Sequence, residues 1–124
     1  MRLTPEQAKA THRFLFARAW EIMAPKRNDY SGNDVPFANF HKSEMFGVAP
    51  WRGTLIRLSD KLSRIMRLAE QGGAGQVKDE SLVDTAADAL NYVAITFGLI
   101  LEAIPEEDAA RVLASIQALV QESE

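Results

Sequence analysis

The sequence predicts an all-α, four-helix bundle-like domain, and three observations lead to that prediction. The chain has 124 residues, a length that suits one domain spanning 1–124. No segment shows the sustained two-residue alternation of apolar and polar residues that is typical of a half-buried strand. Apolar residues recur instead at helical spacing in four segments, which we predict as helices over about 4–24, 51–71, 81–103 and 106–122.

The first helix begins with a clear N-terminal signature. Thr4 is a good N-cap, Pro5 suits the first helical position, and Gln7 completes a capping box. Apolar residues then lie almost all around the helix, whereas a helix on the outside of a monomer carries one apolar stripe. The helix is therefore central or buried between subunits. In so short a chain we expect a homo-oligomer that associates through it, and we expect Pro25 to end it.

A long polar segment, residues 25–50, separates the first two helices and is rich in Asn, Asp, Gly and Pro. Loops of this length in compact domains are usually functional or disordered. Spaced aromatic residues can pin such a loop to the core, so we predict an ordered loop with short helical turns. These residues are Tyr30, Phe37, Phe40 and Phe46.

The second helix carries apolar residues on one face and charged residues on another: Arg57, Asp60, Lys61 and Arg64. Lys61 and Arg64 could bind a phosphate, the arginine through a bidentate fork and the lysine as a point charge. The alternative is a solvated face on which Asp60 pairs with Arg64 one turn later.

The third helix starts with Ser81 and Asp84 as a capping box. A polar column covers about one quarter of its circumference at 100° per residue: Glu80, Asp84, Asp88 and Asn91. Carboxylates one turn apart repel each other by about 0.2–0.5 kcal/mol per pair, so the column needs a counter-charge. Mg²⁺ is one candidate. The basic face of the second helix is the other, and it would make the column part of a structural ion-pair network.

The fourth helix begins after Pro105. The positive end of the helix dipole favours the three acidic residues of its first turn, Glu106, Glu107 and Asp108. Its apolar stripe consists of Val112, Leu113, Ile116, Leu119 and Val120.

Charge and composition exclude several function classes. The formal net charge is −3, but residues 1–70 hold 12 basic and 7 acidic residues, whereas residues 71–124 hold 2 and 10. The local distribution therefore leaves room for a phosphate ligand. The absence of Cys excludes disulfides, Cys-ligated zinc and a thiol nucleophile. No apolar run reaches the ~20 residues of a membrane span, and no signal peptide or nucleic-acid-binding motif is visible, so we expect a cytoplasmic protein.

Together, several of these residues resemble the nucleotide modification associated domain family, first type, a group of small helical proteins of phages and bacteria. The resemblance covers roughly residues 20–101, and it implies a link to nucleotide metabolism without defining a reaction. The residues that carry it are Asp29-Tyr30, Asn39-Phe40, Asp60-Lys61-xx-Arg64, and the string Asp79-Glu80-Ser81-xx-Asp84-Thr85-xx-Asp88-xx-Asn91-Tyr92.

A more distant similarity connects the chain to the MazG-type all-α nucleotide pyrophosphatases. Those enzymes hold Mg²⁺ against a triphosphate with carboxylate pairs on two helices. Asp60 and Asp88 match two of the four acids, whereas Ser63 and Thr85 stand at the other two positions. Cations at such a site could neutralise a phosphate directly, without activating water.

Two functions from different classes follow. The first is a nucleotide-binding protein that captures a phosphorylated or signalling nucleotide, for example as a phage anti-defence sponge, and that requires no cofactor. Its expected binding residues are Asp29, Tyr30, Trp51, Arg57, Lys61, Arg64, Asp84, Asp88 and Asn91. The alternative is a Mg²⁺-dependent nucleotide pyrophosphatase with metal ligands Asp60, Glu80, Asp84 and Asp88. A structural partner without a ligand is the third option.

Overall fold

A computed structural model of the chain describes residues 1–30, 36–72 and 81–123, without the side chains of 27–30 and 123. All regular structure in these ranges is helical, which confirms the predicted all-α class. The helices are α1 (Pro5–Tyr30), a 3₁₀ helix (Ala38–Phe46, the 3₁₀ segment), α2 (Pro50–Glu70), α3 (Leu82–Ala103) and α4 (Glu106–Ser123).

Side-chain caps fix the beginnings of α1 and α3. The Gln7 N–H donates to Thr4 Oγ1 at 3.1 Å, and the Thr4 N–H donates to Gln7 Oε1 at 3.0 Å. These two bonds form the reciprocal capping box that the sequence predicts. At α3 the Asp84 N–H donates to Ser81 Oγ at 2.9 Å.

α1 extends beyond its predicted end at residue 24 and continues through Pro25 to Tyr30. Proline lacks the N–H that would bond to the carbonyl of Glu21 one turn earlier. Both Glu21 and Pro25 are exposed, so water can satisfy that carbonyl and the helix need not stop. Part of the polar segment assigned to a loop is therefore the last turn of α1.

α3 is the central helix of the fold. It packs most extensively against α2 and next against α1, while α4 contacts it only over a short stretch. Its buried face is made largely of small residues, which allow the neighbouring backbones to approach closely: Thr85, Ala87, Ala89, Ile95, Thr96 and Leu99. Thr54 and Leu68 of α2, Ala19 of α1 and Ala109 of α4 are also buried in this core.

Glycines allow the 3₁₀ segment to lie close against α2 and α3. A Cβ at Gly98 of α3 would lie 2.7 Å from Cζ of Phe37, the residue that precedes the segment. A Cβ at Gly53 of α2 would lie 3.3 Å from Cβ of Ser43. The segment ends at Gly47, whose φ of 72° lies in the left-handed region that glycine adopts without strain. The predicted short helical structure between the first two long helices is thus an ordered wall.

The first half of α1 does not occupy the centre of the molecule. Every residue from 1 to 14 is exposed, and the Trp20 side chain is 64% exposed. The alternative that α1 is a central helix is therefore wrong, because α3 takes that position. Burial of α1 between subunits stays a prediction.

Within the described residues, α3 alone has the length and composition of a helix that could cross a membrane. This is weak evidence, since the central helix of a helical bundle meets the same criteria. α3 also packs against α1, α2 and α4, and it pairs Asp84 and Asp88 with cations of neighbouring helices.

Candidate functional site

The second half of α1, the 3₁₀ segment, α2 and α3 enclose a cavity of about 460 Å³, which we call the main cleft. This volume lies in the range of roughly 300–1,000 Å³ that is usual for small-molecule sites. Ile22 and Met23 of α1 and Ile95 of α3 give it apolar walls, and the rings of Phe40 and Tyr92 also line it. The main cleft therefore offers both apolar and aromatic contact surface to a ligand.

Positive charge dominates the main cleft. Its lining includes Lys26 of α1, Lys42 of the 3₁₀ segment, and Arg57 and Lys61 of α2. Among the described lining residues, Asp88 of α3 is the one acid. Four cations against one carboxylate give the cleft a net positive charge, although the whole chain is negative. Such a local charge favours an anionic ligand.

The one acid of the main cleft is already paired. Lys61 Nζ lies 3.4 Å from Asp88 Oδ2, and the side chains are 22% and 39% exposed. The ammonium group has three donors, so Lys61 can contact a ligand while it keeps this long contact. In the part of the chain that the structure describes, Lys26, Lys42 and Arg57 form no ion pair.

Two amides also line the main cleft, Asn39 and Asn91. Asn91 Nδ2 donates to the carbonyl oxygen of Ala19 at 3.1 Å, which ties α3 to α1. Its Oδ1 can still accept a hydrogen bond from a ligand. Asn39 and Lys42 are three residues apart, the spacing that places side chains on one face of a 3₁₀ helix.

A smaller cavity of about 270 Å³ adjoins the main cleft. Arg57, Lys61 and Tyr92 line both cavities, and the smaller one adds Asp60 and Arg64. The charged face that the sequence predicts on α2 therefore opens onto both. A ligand held at Arg57 and Lys61 can extend in either direction.

The 3₁₀ segment is attached to α3 by a histidine. His41 Nδ1 lies 2.6 Å from Glu44 Oε1, and His41 Nε2 lies 3.5 Å from Glu102 Oε1 of α3. The hydrogen bond with Glu44, together with the charge of Glu102, raises the pKa of His41 above its usual 6.5. When the ring is protonated, its Nε2 lies within ion-pair distance of Glu102, but it forms no hydrogen bond within the described residues. The contact between this cleft wall and α3 is therefore electrostatic.

The structure brings together part of the predicted nucleotide-binding set. Arg57, Lys61, Asp88 and Asn91 line the main cleft, and Arg64 lines the smaller cavity. Asp29 and Tyr30 fall in the last turn of α1, where side chains lie outside the described part of the structure.

Two predicted binding residues lie outside both cavity linings, Trp51 and Asp84. The Trp51 ring contacts the guanidinium of Arg52, 4.8 Å from the ring centroid. Asp84 Oδ1 lies 3.2 Å from Nε of Arg18 on α1, and this hydrogen bond raises the pKa of Arg18, which stays cationic. The counter-charge of Asp84 thus comes from α1 and not from the basic face of α2.

The described members of the predicted Mg²⁺ set do not fit a shared metal site. Asp84 faces Arg18, Asp88 faces Lys61, and Asp60 lines only the smaller cavity. No group of three acidic or histidine side chains within the described residues could hold a metal ion. Glu80 lies outside the described residues.

Sequence reasoning missed three polar residues of the main cleft, Lys26, Asn39 and Lys42. Lys26 follows Ile22 by one helical turn, so continuing α1 past Pro25 would have placed it on the same face. The 3₁₀ spacing of Asn39 and Lys42 was the corresponding signal in the polar segment.

Comparison with known proteins gives no match to a protein-family model, to a curated protein or to a solved structure.

Proposed function

We propose that this chain is a nucleotide-binding protein that captures a phosphorylated or signalling nucleotide in the main cleft. The observation that carries the proposal is the charge of the lining, with four cations around one carboxylate that Lys61 already neutralises. A ligand with several negative charges would compensate these cations, and hydrogen bonds to charged groups contribute about 1.5–3 kcal/mol each.

The lining also suits the other parts of a nucleotide. The Tyr92 and Phe40 rings offer flat apolar surface to a base, and such stacking contributes roughly 1–3 kcal/mol per base. The amides of Asn39 and Asn91 can bond to base or ribose edges. Arg57 and Lys61 lie on both cavities, so we assign them to the phosphates.

Capture is favoured over Mg²⁺-dependent pyrophosphate hydrolysis by the pairing of the acids. Hydrolysis on a metal requires carboxylates that converge on the ion. Asp84 and Asp88 are instead paired with Arg18 and Lys61, on different neighbouring helices. Hydrolysis remains the alternative function that the experiment below must test.

The first experiment measures binding and turnover on the same samples. The full chain is incubated with a panel of nucleosides, their mono-, di- and triphosphates and cyclic nucleotides, with Mg²⁺ or with a chelator. Thermal unfolding reports binding, and chromatography of the supernatant reports products. Capture predicts that phosphorylated members raise the melting temperature, that the chelator does not remove this effect, and that they are recovered intact.

Two variants on one helix serve as test and control. Arg57→Gln removes a cation from the cleft, whereas Arg52→Gln removes an exposed cation outside both linings. Only the first should weaken the nucleotide-induced stabilisation. Turnover that requires Mg²⁺ and is lost in Asp88→Ala would establish hydrolysis in place of capture. Equal stabilisation by nucleosides and nucleotides would refute a phosphate site.

A further inference from the structure

One side of α1 combines exposed basic residues with exposed aromatic residues. Lys9, Arg13, Phe16 and Trp20 follow one another at spacings of four, three and four residues, which place them on the same side of a helix. All four are exposed, and the Trp20 side chain is 64% exposed. We call this set the α1 outer face. It is basic towards the N-terminus and aromatic towards the middle of the helix.

Nothing in the described part of the chain covers the first half of this helix. Residues 1–14 are exposed on every side. An isolated helix of fewer than about 12–15 residues is marginal in water, and most helical stability comes from packing of an apolar face. The N-terminal half of α1 gains no packing energy from the described residues, so a second surface against it would stabilise it.

α4 presents a second incomplete face. Its stripe is buried at Ala109 and half-buried at Val112 and Ile116, where the helix lies near α3. Leu113 and Val120, seven residues apart on one side of the helix, are 46% and 51% exposed. Glu106 lies seven residues before Leu113 and shares that side. We call Glu106, Leu113 and Val120 the α4 outer face.

The two outer faces are complementary in charge as well as in apolarity. The α1 outer face carries Lys9 and Arg13, whereas the α4 outer face begins with Glu106, which Glu107 follows in the same first turn. Along both outer faces the charged residues precede the apolar ones. A parallel alignment would therefore place the basic turns of α1 beside the acidic first turn of α4, and Phe16 and Trp20 beside Leu113 and Val120.

From these observations we propose that the α1 outer face of one copy of this chain packs on the α4 outer face of a second copy, and reciprocally, in a homodimer. A two-fold axis makes the two contacts equivalent, so each dimer buries both faces of each copy. This interface is independent of the main cleft, whose lining includes none of these residues.

The first test is the mass of the full chain in solution. Sedimentation equilibrium at micromolar concentration is expected to give twice the monomer mass. Trp20→Ala is expected to raise the dissociation constant at least about thirtyfold, the loss typical of an interface hot spot. Phe46→Ala is the matched control, because Phe46 is an exposed aromatic of the 3₁₀ segment outside both outer faces, and it should leave the constant unchanged.

A charge exchange tests which faces meet. The variant Lys9→Glu/Arg13→Glu carries two acidic faces, and the variant Glu106→Lys/Glu107→Lys carries two basic faces. Each alone should be monomeric at concentrations at which the wild type is dimeric. Mixed in equal amounts, they should form a heterodimer, because both of its contacts then join opposite charges. Formation of this heterodimer would also show that both variants are folded.

Three results would overturn the proposal. A monomeric wild type would leave the outer faces to another protein or to a membrane surface. A dimer sensitive to Phe46→Ala and not to Trp20→Ala would place the interface on the 3₁₀ segment. Failure of the two charge variants to associate on mixing would show that α1 and α4 do not meet.

Discussion

Asp88 is the residue at which capture and hydrolysis make opposite predictions. It is the one carboxylate in the described lining of the main cleft, and it lies 3.4 Å from Lys61. Asp88→Asn keeps the shape and hydrogen-bonding capacity of the side chain but removes its negative charge. Under capture, the variant should bind a nucleoside triphosphate severalfold more tightly, because an anion repels the phosphates and competes for Lys61. Isothermal titration with and without Mg²⁺ measures this change, and a loss of binding that depends on Mg²⁺ would support a metal site instead.

Two buried hydroxyls provide a stability test at the same scale. Thr54 Oγ1 of α2 and Thr96 Oγ1 of α3 lie 2.7 Å apart, and each lies within hydrogen-bonding distance of a carbonyl oxygen of its own helix. Because each hydroxyl has one hydrogen to donate, the hydroxyl that donates to the other gives up the bond to its own carbonyl. Thr54→Val or Thr96→Val should lower the free energy of unfolding by about 1–2 kcal/mol, because each leaves a buried partner with one bond fewer. The double variant should cost less than the sum. Urea unfolding measures all three, and strict additivity would show that the hydroxyls do not interact.

Single residues also show how far the sequence can be interpreted on its own. The sequence predicts that Arg57 and Lys61 share one face of α2 and that Asp84 and Asp88 share one face of α3, because helical spacing fixes which side chains of a helix lie together. The partner of Asp84 could not be predicted in this way. Whether a carboxylate on α3 faces α2 or α1 depends on how the helices pack, and the two basic partners Arg18 and Lys61 are equally plausible from charge alone.

Among the elements, the 3₁₀ segment is the one whose position decides the shape of the main cleft. Gly98→Ala would place a Cβ 2.7 Å from Cζ of Phe37, so the Phe37 ring, at the start of this wall, must move. Overpacking costs about 1–3 kcal/mol, more than the gain of up to ~1 kcal/mol from Ala in a helix. Both the free energy of unfolding and the nucleotide affinity should fall.

Gly53→Ala is the matched control for this wall. Its new Cβ would lie 3.3 Å from Cβ of Ser43, a contact that a small shift relieves. This variant should keep its nucleotide affinity in the same titration. If Gly98→Ala also kept its affinity, displacement of the Phe37 ring would not be transmitted to the main cleft.

His41 makes the attachment of this segment depend on pH. Its carboxylate partners, Glu44 first and then Glu102, raise its pKa in the folded state. The two carboxylates stabilise the folded state only while the His41 ring is protonated. This stabilisation is therefore fully present below the unfolded-state pKa of about 6.5, and it is lost as the pH rises through the higher folded-state pKa. Urea unfolding of the wild type and His41→Gln should differ more at about pH 5.5 than at about pH 8.5. A difference in unfolding free energy that is constant or that grows with pH would contradict the interaction of His41 with Glu44 and Glu102.

Element boundaries followed from the sequence wherever a local signal fixed them. The Thr4–Gln7 capping box and the Ser81 cap are local, and both are present. The predicted end of α1 at Pro25 was wrong. The free-energy cost of proline within a helix depends on whether water reaches the carbonyl one turn earlier, and this depends on how the molecule packs. The position of the 3₁₀ segment likewise depends on two glycines, Gly53 and Gly98, that lie on other helices.

At the scale of the whole molecule, the net charge of −3 and the positive cleft act in opposite directions. The chain as a whole repels anions at long range, whereas the four cations of the cleft attract a phosphate at short range. Lys26, Lys42 and Arg57 are exposed, and exposed charges are screened over about 10 Å at 0.1 M salt. Nucleotide affinity should therefore fall as salt is added, and Arg57→Gln should make this fall less steep.

The most direct test of nucleotide capture is a phosphate series measured by isothermal titration of the full chain. The ligands are a nucleoside and its mono-, di- and triphosphate, and the proteins are the wild type, Arg57→Gln/Lys61→Gln and the control Arg52→Gln. We predict that affinity rises with each phosphate in the wild type and in the control. The double variant should lose most of this rise, because each charged contact that is removed weakens triphosphate binding roughly tenfold or more. A nucleoside that binds as tightly as its triphosphate, or a double variant with an unchanged series, would contradict the proposed function.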